Sequence, residues 1–305
     1  MFIFLTTLRT KMYKATHTQA MRVLLQQVFL YVFCYQLYVH HYLYLFYLLC
    51  SLTLFRQFII FHDCGHNSFT PSTTMNKLLH VVFSILAVVN VDWTNRHKLH
   101  HSASGNLSDK NYAWNDTIFF TKQELEQRPW MVQALHKIFR FPFIFFPLLS
   151  ILIPIRNLCN FRWIPSNVCV FAFTMMFYVG WMTIDYTSLK HVSCAYAIAA
   201  FFGGVLFHLQ HVFNPAYVAR GGVWTRKHAA LKGSSYVYIP PILDIFTLGI
   251  EYHHLHHWNT GIPGYNLKKY CLHRKEFDSI QPLTIGQIVE SLACTLYDEK
   301  QQQFI

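Results

Sequence analysis

The sequence contains few charged residues. Asp, Glu, Lys and Arg make up 13% of the 305 residues, whereas apolar residues make up 53%. Soluble domains carry about a quarter charged residues, so this composition argues against a soluble protein and favours a membrane protein. Acids are scarcer than bases, 14 against 25, which leaves a formal charge of +11. Because apolar runs in the chain are long enough to cross a bilayer, this charge indicates a cytoplasmic face beside anionic lipid, and no nucleic-acid partner is predicted.

Several chemical motifs are missing. None of the eight cysteines forms a C-x-x-C pair, which argues against a disulfide framework and against a zinc site with cysteine ligands. The H-E-x-x-H signature of zinc hydrolases is absent, because Asp63 follows His62. No haem-binding or flavin-binding motif is present. Redox chemistry at this protein would therefore need electrons from a separate protein.

The apolar runs predict an all-α integral membrane protein. Four transmembrane helices, in two antiparallel hairpins, are expected near residues 23–39, 42–61, 168–184 and 192–207. Segment 138–155 is apolar but interrupted by three prolines, so a broken or half-embedded helix is expected there. Interfacial helices and a cytoplasmic cap with the histidine clusters complete the predicted fold. No linker marks a second domain, so residues 1–305 are interpreted as one membrane domain with a basic cytoplasmic arm at residues 1–22.

Histidine is abundant, and its spacing is helical. The chain has 19 histidines, and three clusters with H-x-x-x-H or H-x-x-H-H spacing contain His62, His66, His97, His100, His101, His253, His256 and His257. Residues three and four apart lie on one face of a helix. Crowded imidazoles repel one another when protonated, but a metal ion favours their proximity because it binds neutral nitrogens. Since each hairpin returns the chain to the side it left, the clusters are expected to meet at one membrane face.

The number of histidines indicates two metal ions. A tetrahedral zinc site uses three or four ligands, so a set this large suits two ions better than one. Imidazole suits zinc, copper, iron and nickel, and ligand type alone does not choose among them. Soluble di-iron sites use repeated Glu-x-x-His motifs, and this chain has no such repeat. An oxygen-activating di-iron centre with a shell of histidines is the best match, and Asp63 and Glu251 lie close enough in sequence to orient the imidazoles.

Five segments carry a resemblance to a known family. They are FIIFHDCGHNSF (58–69), RHKLHHSASGNL (96–107), FHLQHVF (207–213), ALKGSSY (230–236) and EYHHLHHWNTGIPGYNL (251–267). With these segments in this order, residues 55–270 resemble the membrane fatty acid desaturases, in particular the acyl-lipid desaturases related to the Δ12 (omega-6) enzymes. Three histidine boxes with their flanking residues make this signal specific.

The resemblance implies an enzyme that introduces double bonds into the acyl chains of membrane lipids. It implies two iron ions, O2 as co-substrate, and electrons from a separate cytochrome b5 or ferredoxin-like protein. Carried over position by position, the metal ligands are His62, His66, His97, His100, His101, His253, His256 and His257. His211 matches the family's extra histidine, His208 is a further candidate, and His254 falls at a non-ligand position. Asp63, Asn106 and Glu251 are the candidates for orienting the ligands. The substrate-binding residues stay unknown, and the aromatic candidates for the channel or interface are Trp93, Trp224, Tyr236 and Phe246.

Other functions share some of these features. A di-iron hydroxylase, or a carotenoid ketolase or hydroxylase, begins with the same hydrogen abstraction, so the boxes alone do not separate it from a desaturase. The S-G-N and I-P-x-Y-N-L flanks favour the desaturase. A non-catalytic metal-binding or transport protein would place its ligands near the bilayer midplane, whereas these histidines fall outside the predicted spans. The basic stretch Arg220–Lys232 is interpreted as the docking surface for an acidic electron carrier.

Overall fold

Helices dominate the computed structural model, which describes residues 12–109 and 119–305. The predicted basic arm at residues 1–22 therefore lies partly outside the described residues. In chain order the α-helices are α1 (His17–Val39), α2 (Leu43–Gly65), α3 (Thr73–Leu86), α4 (Trp93–Ala103), α5 (Lys122–Glu126), α6 (Trp130–Phe139), α7 (Pro142–Cys159), α8 (Pro165–Ile184), α9 (Tyr186–His211), α10 (Arg226–Lys232), α11 (Asp244–Thr247), α12 (His253–Trp258), α13 (Gly264–Leu272) and α14 (Ile285–Ala293). Short 3₁₀ turns occupy Gly221–Val223, Pro241–Leu243 and Lys275–Phe277. Among the described helices, five are long and apolar enough to cross a membrane: α1, α2, α7, α8 and α9.

Two pairs of long helices are joined by very short turns. α1 ends at Val39 and α2 begins at Leu43, and His41 adopts a positive φ of 62° in the turn between them. Only Asp185 separates α8 from α9, and its carboxylate accepts a hydrogen bond from the Ser188 N–H at 3.0 Å. Turns this short force consecutive helices to run antiparallel. A short loop was predicted between the spans at 168–184 and 192–207. Residues 186–191 instead form the beginning of α9, because Asp185 caps that helix and it starts at Tyr186.

Capping also moves other helix ends beyond the apolar runs. The Thr16 hydroxyl accepts a hydrogen bond from the Gln19 N–H at 3.2 Å, so α1 begins six residues before the predicted span. α2 continues past its apolar run to Gly65, and α9 continues to His211. Both extensions carry polar histidines on the end of a membrane helix.

The proline-containing segment forms one continuous helix, which corrects the expected break. α7 runs from Pro142 to Cys159 and contains Pro147 and Pro154 in its interior. Pro142 suits the first turn, where its missing N–H has no partner to lose. The interior prolines each remove a backbone hydrogen bond, but membrane helices tolerate them where neighbouring groups satisfy the freed backbone atoms. Residues 130–139 form the separate helix α6.

A small β-sheet in the described residues departs from the all-α prediction. Strand β1 (Phe120–Thr121) pairs parallel with β2 (Leu296–Asp298), with Phe120 beside Leu296, and β2 pairs antiparallel with β3 (Gln303–Phe304). The Asn214 side chain donates to the Phe304 carbonyl and accepts from the Phe304 N–H, both at 2.8 Å. The carboxy-terminal segment is thereby tied to the chain just after α9. Strands of two or three residues are too short to show the alternation that identifies a strand in sequence.

A buried arginine of α2 makes hydrogen bonds to α1 and to α11. Arg56 of α2 has no exposed surface. Its guanidinium donates to the Val23 carbonyl of α1 at 2.9 Å and to the Ile245 carbonyl of α11 at 3.3 Å. Carbonyl partners reduce the cost of placing this charge in an apolar region. Since His62 lies six residues further along α2, these hydrogen bonds also fix the position of the first histidine cluster.

Candidate metal centre

Four helices bring the predicted histidines to one place. α2 contributes His62 and, just past its end, His66; α4 contributes three histidines, α9 ends at His211, and α12 contributes three more. Within the described residues they form two groups in which the ring nitrogens lie within 4.8 Å of one another. Group A contains His62, His66, His97, His101 and His256. Group B contains His100, His211, His253 and His257.

The H-x-x-H-H clusters divide between the two groups. In α4 the residues four apart, His97 and His101, belong to group A, while His100 belongs to group B. In α12 the assignment is reversed, because His253 and His257 belong to group B and His256 to group A. The rings of His101 and His257 are in contact, with centroids 4.2 Å apart, so the groups lie side by side.

The spacing of the nitrogens suits metal ions. In group A, Nε2 of His97 lies 2.9 Å from Nε2 of His62 and 3.0 Å from Nε2 of His101. In group B, Nε2 of His253 lies 2.9 Å from that of His211 and 3.1 Å from that of His257. Two nitrogens bound about 2.1 Å from one ion, at right angles to each other, are about 3 Å apart. Neutral nitrogens at this distance repel through their lone pairs unless they share a cation or a proton, so the donor set fits a metal ion in each group.

Burial keeps these imidazoles neutral. Burial, reinforced by the neighbouring imidazole of His62, lowers the pKa of His100 to about 3. Burial and neighbouring histidines also lower the pKa well below its ordinary value for His66, His97, His101, His253, His256 and His257. Metal binding requires deprotonated nitrogens, and these pKa shifts keep the imidazoles in that form at neutral pH.

Asp63 connects the first and third histidine clusters. One carboxylate oxygen lies 3.0 Å from Nδ1 of His62, and the other accepts a hydrogen bond from the Gly264 N–H at 2.7 Å. An ionised carboxylate only accepts hydrogen bonds, so Nδ1 of His62 carries the proton and Nε2 is left with its lone pair facing group A. A carboxylate behind a ligand in this way fixes the ring and raises its basicity.

Neither of the other two orienting candidates makes a hydrogen bond to a grouped histidine among the described residues. The Asn106 side-chain oxygen accepts a hydrogen bond from the Ser108 N–H at 3.0 Å, in the turn that follows α4. Glu251 is buried, its pKa is raised by burial, and its backbone carbonyl accepts from the Val237 N–H at 3.2 Å. Asp63 is thus the candidate that the structure places against a grouped histidine.

His208, the further candidate ligand, lies outside both groups. Its Nε2 donates a hydrogen bond to the Ser291 carbonyl of α14 at 2.8 Å, and its ring packs on Phe146 at 5.3 Å. The side chain therefore faces α14 and α7, although His211 is only one turn away on the same helix. His254, at the non-ligand position of the third cluster, is also outside both groups and is fully buried.

An apolar cavity leads to the grouped histidines. It has a volume of about 180 Å³, its wall comes largely from α2, α7 and α9, and it reaches His62 and His97 of group A and His253 of group B. Along α9 its wall extends from Gln210 to Tyr196, which is about 21 Å at the helical rise per residue. A long, narrow and apolar space of this kind suits an alkyl chain.

Two aromatic side chains line the cavity and pack on the grouped histidines. Trp93 lines the cavity and stacks on His97 with ring centroids 4.4 Å apart. The other aromatic candidates, Trp224, Tyr236 and Phe246, are not among its lining residues. Phe207 is not among the aromatic residues predicted from the sequence. It lines the cavity and packs on His211 at 4.9 Å and on His100 at 5.5 Å. Its position four residues before His211 on a predicted helix was the available signal.

These features define a membrane protein in which two groups of histidines suited to metal ions face an apolar cavity. A family model described as "Fatty acid desaturase" matches residues 18–282. The chain belongs to the fatty acid desaturase family and is an enzyme of that class.

Named relatives agree with this assignment. A fatty acid desaturase of Bacillus subtilis is 28% identical over 265 residues, which cover 83% of this chain and 74% of the relative. An sn-1 oleoyl-lipid 12-desaturase of Picosynechococcus is 26% identical, covering 72% of this chain and 65% of the relative. An sn-1 acyl-lipid omega-3 desaturase (ferredoxin) of Synechocystis is 25% identical, covering 74% of this chain and 65% of the relative. The matched part of this chain thus spans about two thirds to three quarters of these relatives' lengths.

Proposed function

We propose that the protein introduces a double bond into the acyl chains of membrane lipids at a centre of two iron ions, with O2 as co-substrate. The observation that carries this proposal is the apolar cavity, which reaches candidate ligands of both histidine groups. In the balanced reaction, two hydrogen atoms leave adjacent carbons of the chain. Together with two electrons and two protons they reduce O2 to two molecules of water. The electrons come from an external electron-transfer protein.

The proposed ligands are the nine grouped histidines. Group A, with five imidazoles, would hold one iron, and group B, with four, would hold the other. When bound, iron would supply the oxidising power needed to remove hydrogen from an unactivated C–H bond. Asp63 keeps the proton on Nδ1 of His62, which directs Nε2 toward group A.

The remaining residues position the acyl chain and exclude water. The cavity wall would hold the chain extended along α9, so that one pair of carbons lies beside the histidines. Trp93 and Phe207 pack directly on imidazoles and leave little room for solvent between the cavity and the groups. A chain held in a fixed position explains how such a site would select one pair of carbons among many similar ones.

Lipid-linked acyl chains are the proposed substrate class. Two of the relatives carry sn-1 oleoyl-lipid or sn-1 acyl-lipid in their names, so they act on chains attached to lipids. The cavity of this protein is bounded by helices suited to lie in the membrane, where such lipids are found. Mass spectrometry of the product would give the position of the double bond.

We further propose four membrane crossings, with α7 embedded at the ligand side. α7 has 18 residues, which is near the lower end of the length that crosses a bilayer. Near its beginning Phe146 packs on His208, one turn from His211 of group B. Near its end the Asn157 carbonyl accepts from the Asn90 N–H at 3.0 Å, just before α4. Both ends thus contact segments that carry candidate ligands, which supports a helix that returns to the same side.

We also propose that the histidines lie on the cytoplasmic face. Exposed cations such as Arg226, Lys232, Lys269 and Lys275 lie in the segments that precede and follow the third histidine cluster. Lys190 lies near the opposite end of α9. The positive-inside rule then directs the cap to the cytoplasm.

Cysteine labelling tests the crossings. In a background with the native cysteines replaced by serine, Phe141→Cys and Asn160→Cys mark the two ends of α7. We expect both to react with a membrane-impermeant maleimide from the cytoplasmic side, as Ser279→Cys does, and Thr187→Cys to react from the opposite side. Labelling of positions 141 and 160 from opposite sides would show that α7 crosses the membrane.

Product analysis tests the function. The protein is expressed in a host without polyunsaturated lipids, and fatty acids are profiled by mass spectrometry. We expect a new double bond that disappears in His256→Ala and persists in His228→Ala, which removes an exposed histidine outside both groups. A new hydroxy acid would instead identify a hydroxylase. Bound zinc with an unchanged lipid profile would indicate a metal-binding protein without this activity.

A further inference from the structure

A partly exposed tryptophan lies next in sequence to a histidine of group B. Trp258 ends α12 and directly follows His257. The Nζ atom of Lys227 lies 5.6 Å from the centroid of its ring, and Phe277 packs against it edge-on at 6.2 Å. The indole is therefore held between α10 and the turn at Lys275–Phe277.

The helix that contacts this tryptophan through Lys227 is rich in positive charge. Arg226, Lys227 and Lys232 of α10 are exposed, and residues 214–235 contain no acid. Arg220, in the same stretch, is paired with Glu299 through two contacts of 2.8 Å, so its charge is compensated. An exposed acid, Asp278, borders the region. We call Arg226, Lys227, Lys232 and Trp258 the Trp258 patch.

Trp258 also links the surface to a grouped histidine. Among the described residues, three aromatic side chains directly neighbour a grouped histidine in sequence: Phe61, Tyr252 and Trp258. Phe61 and Tyr252 are buried, with 0% and 7% of their surface exposed. Trp258 alone of the three reaches the surface, and a single peptide bond separates it from His257.

We propose that an acidic one-electron carrier protein docks on the Trp258 patch and that electrons enter group B through Trp258 and His257. An aromatic anchor surrounded by cations is typical of an interface that attracts a negatively charged partner. Each transfer oxidises the carrier by one electron and reduces one iron ion by one electron. Two transfers supply the two electrons that the reaction consumes with O2. This inference rests on the proposed function, because it assumes an iron centre that is reduced in each cycle.

Docking is tested with a plant-type [2Fe–2S] ferredoxin as the acidic probe. Its dissociation constant is measured with the complete, iron-loaded protein in detergent at low and at physiological salt. We expect the double variant Arg226→Glu/Lys227→Glu to weaken binding by about tenfold or more and to flatten the salt dependence. Lys190→Glu, a matched reversal at the far end of α9, keeps the original affinity. An unchanged dissociation constant in the double variant would overturn the docking site.

The electron route is tested by the reduction rate of the iron centre. Under anaerobic conditions and saturating reduced ferredoxin, weak docking no longer limits the rate. We expect Trp258→Leu to slow reduction several-fold with the same iron content, and Trp258→Phe, which keeps an aromatic ring, to retain most of the rate. Equal rates in the original protein and Trp258→Leu would remove Trp258 from the route.

A chemical reductant separates this inference from the proposed function. Dithionite reduces the iron without docking, so the original protein is reduced with it anaerobically, freed of excess dithionite, and then mixed with O2 and lipid. A single turnover is expected to form the double bond. If it forms none, the proposed function fails. If it forms the product while the ferredoxin measurements are unaffected by the substitutions, only the electron entry fails.

Discussion

At the scale of single residues, His208 and His211 show how one helical turn separates a candidate ligand from a packing residue. His211 belongs to group B, whereas His208 donates to the Ser291 carbonyl. We expect His211→Ala to lose iron from group B, and His208→Gln, which keeps a donor for that carbonyl, to retain the full iron content. Iron per protein, measured by mass spectrometry after purification, distinguishes them. Equal iron loss in both variants would contradict this assignment.

Asp63 is the residue whose hydrogen bonds a conservative substitution cannot reproduce. It accepts from two donors, Nδ1–H of His62 and the Gly264 N–H. An asparagine has one oxygen, so its NH2 group would face one of these donors, at a cost of about 1–3 kcal/mol. We expect Asp63→Asn to lower the iron affinity about 10- to 100-fold.

Competition with a chelator measures the affinity of Asp63→Asn. The matched control is Asp278→Asn, which changes an exposed acid away from the grouped histidines. If Asp63→Asn binds iron with the affinity of the original protein, the Asp63 carboxylate does not affect metal binding by His62.

Residue types and spacing indicated the histidines, because several clusters of imidazoles at helical intervals are typical of metal sites. They did not indicate which nitrogen each imidazole uses, nor that the Asn106 side chain accepts from the Ser108 N–H. Those outcomes depend on tertiary contacts such as Gly264 against Asp63, which join residues about two hundred positions apart. Local sequence patterns do not predict such contacts.

At the scale of helices, α4 and α12 divide their histidines between groups A and B in opposite ways, and spacing alone could not predict this. Both clusters read H-x-x-H-H, yet the pair four apart belongs to group A in α4 and to group B in α12. Two helices that face each other across two adjacent ion sites explain this reversal, because each presents its paired face to a different site. Helix boundaries were also set by caps such as Thr16 and Asp185, which hydrophobicity does not reveal.

An ion pair fixes the start of α4 to the segment between α7 and α8. Asp92 is buried, and it accepts from the Arg162 N–H, from Nε and from a terminal guanidinium nitrogen, each at 2.9 Å. Burial alone would raise the pKa of Asp92, but these hydrogen bonds hold it below its ordinary value. Arg162→Gln would leave the buried carboxylate with fewer donors, at a cost of about 1–3 kcal/mol.

Because α4 supplies histidines to both groups, we expect Arg162→Gln to reduce iron in both. Thermal unfolding in detergent and iron content are measured together. Arg22→Gln, at an exposed arginine on α1, serves as the control and should match the original protein. Loss of thermal stability with full iron content would show that the ion pair stabilises the fold without positioning the ligands.

At the scale of the whole molecule, membrane helices and a polar cap form around one site. α2 and α9 each end in histidines, so the same helices that bound the cavity also carry candidate ligands. The general membrane architecture was predictable from apolar runs. The small sheet and the continuity of α7 were not, because they depend on partners such as Asn214 and on neighbours that tolerate the prolines.

Concentrating this many buried imidazoles should make the molecule acid-sensitive. The pKa of His100 is about 3 in the folded protein, below the ordinary value of about 6.5 in an unfolded chain. The unfolded state therefore binds more protons as the pH falls below about 6.5, and folding stability decreases until the folded pKa is reached. Each such histidine contributes a slope of about 1.4 kcal/mol per pH unit in that window.

We therefore expect the Tm of the metal-free protein in detergent to be constant above about pH 7 and to fall steeply below about pH 6. Iron should shift the decline to lower pH, because the ion binds only the folded, deprotonated ligands. A His100→Asn variant has one fewer buried imidazole and should show a shallower decline, measured relative to its own Tm at pH 7.5. A Tm that stays constant from pH 7.5 to pH 5 in the metal-free protein would show that the grouped histidines are already protonated or solvent-accessible in the folded state. That result would also remove the physical basis for treating them as preformed metal ligands.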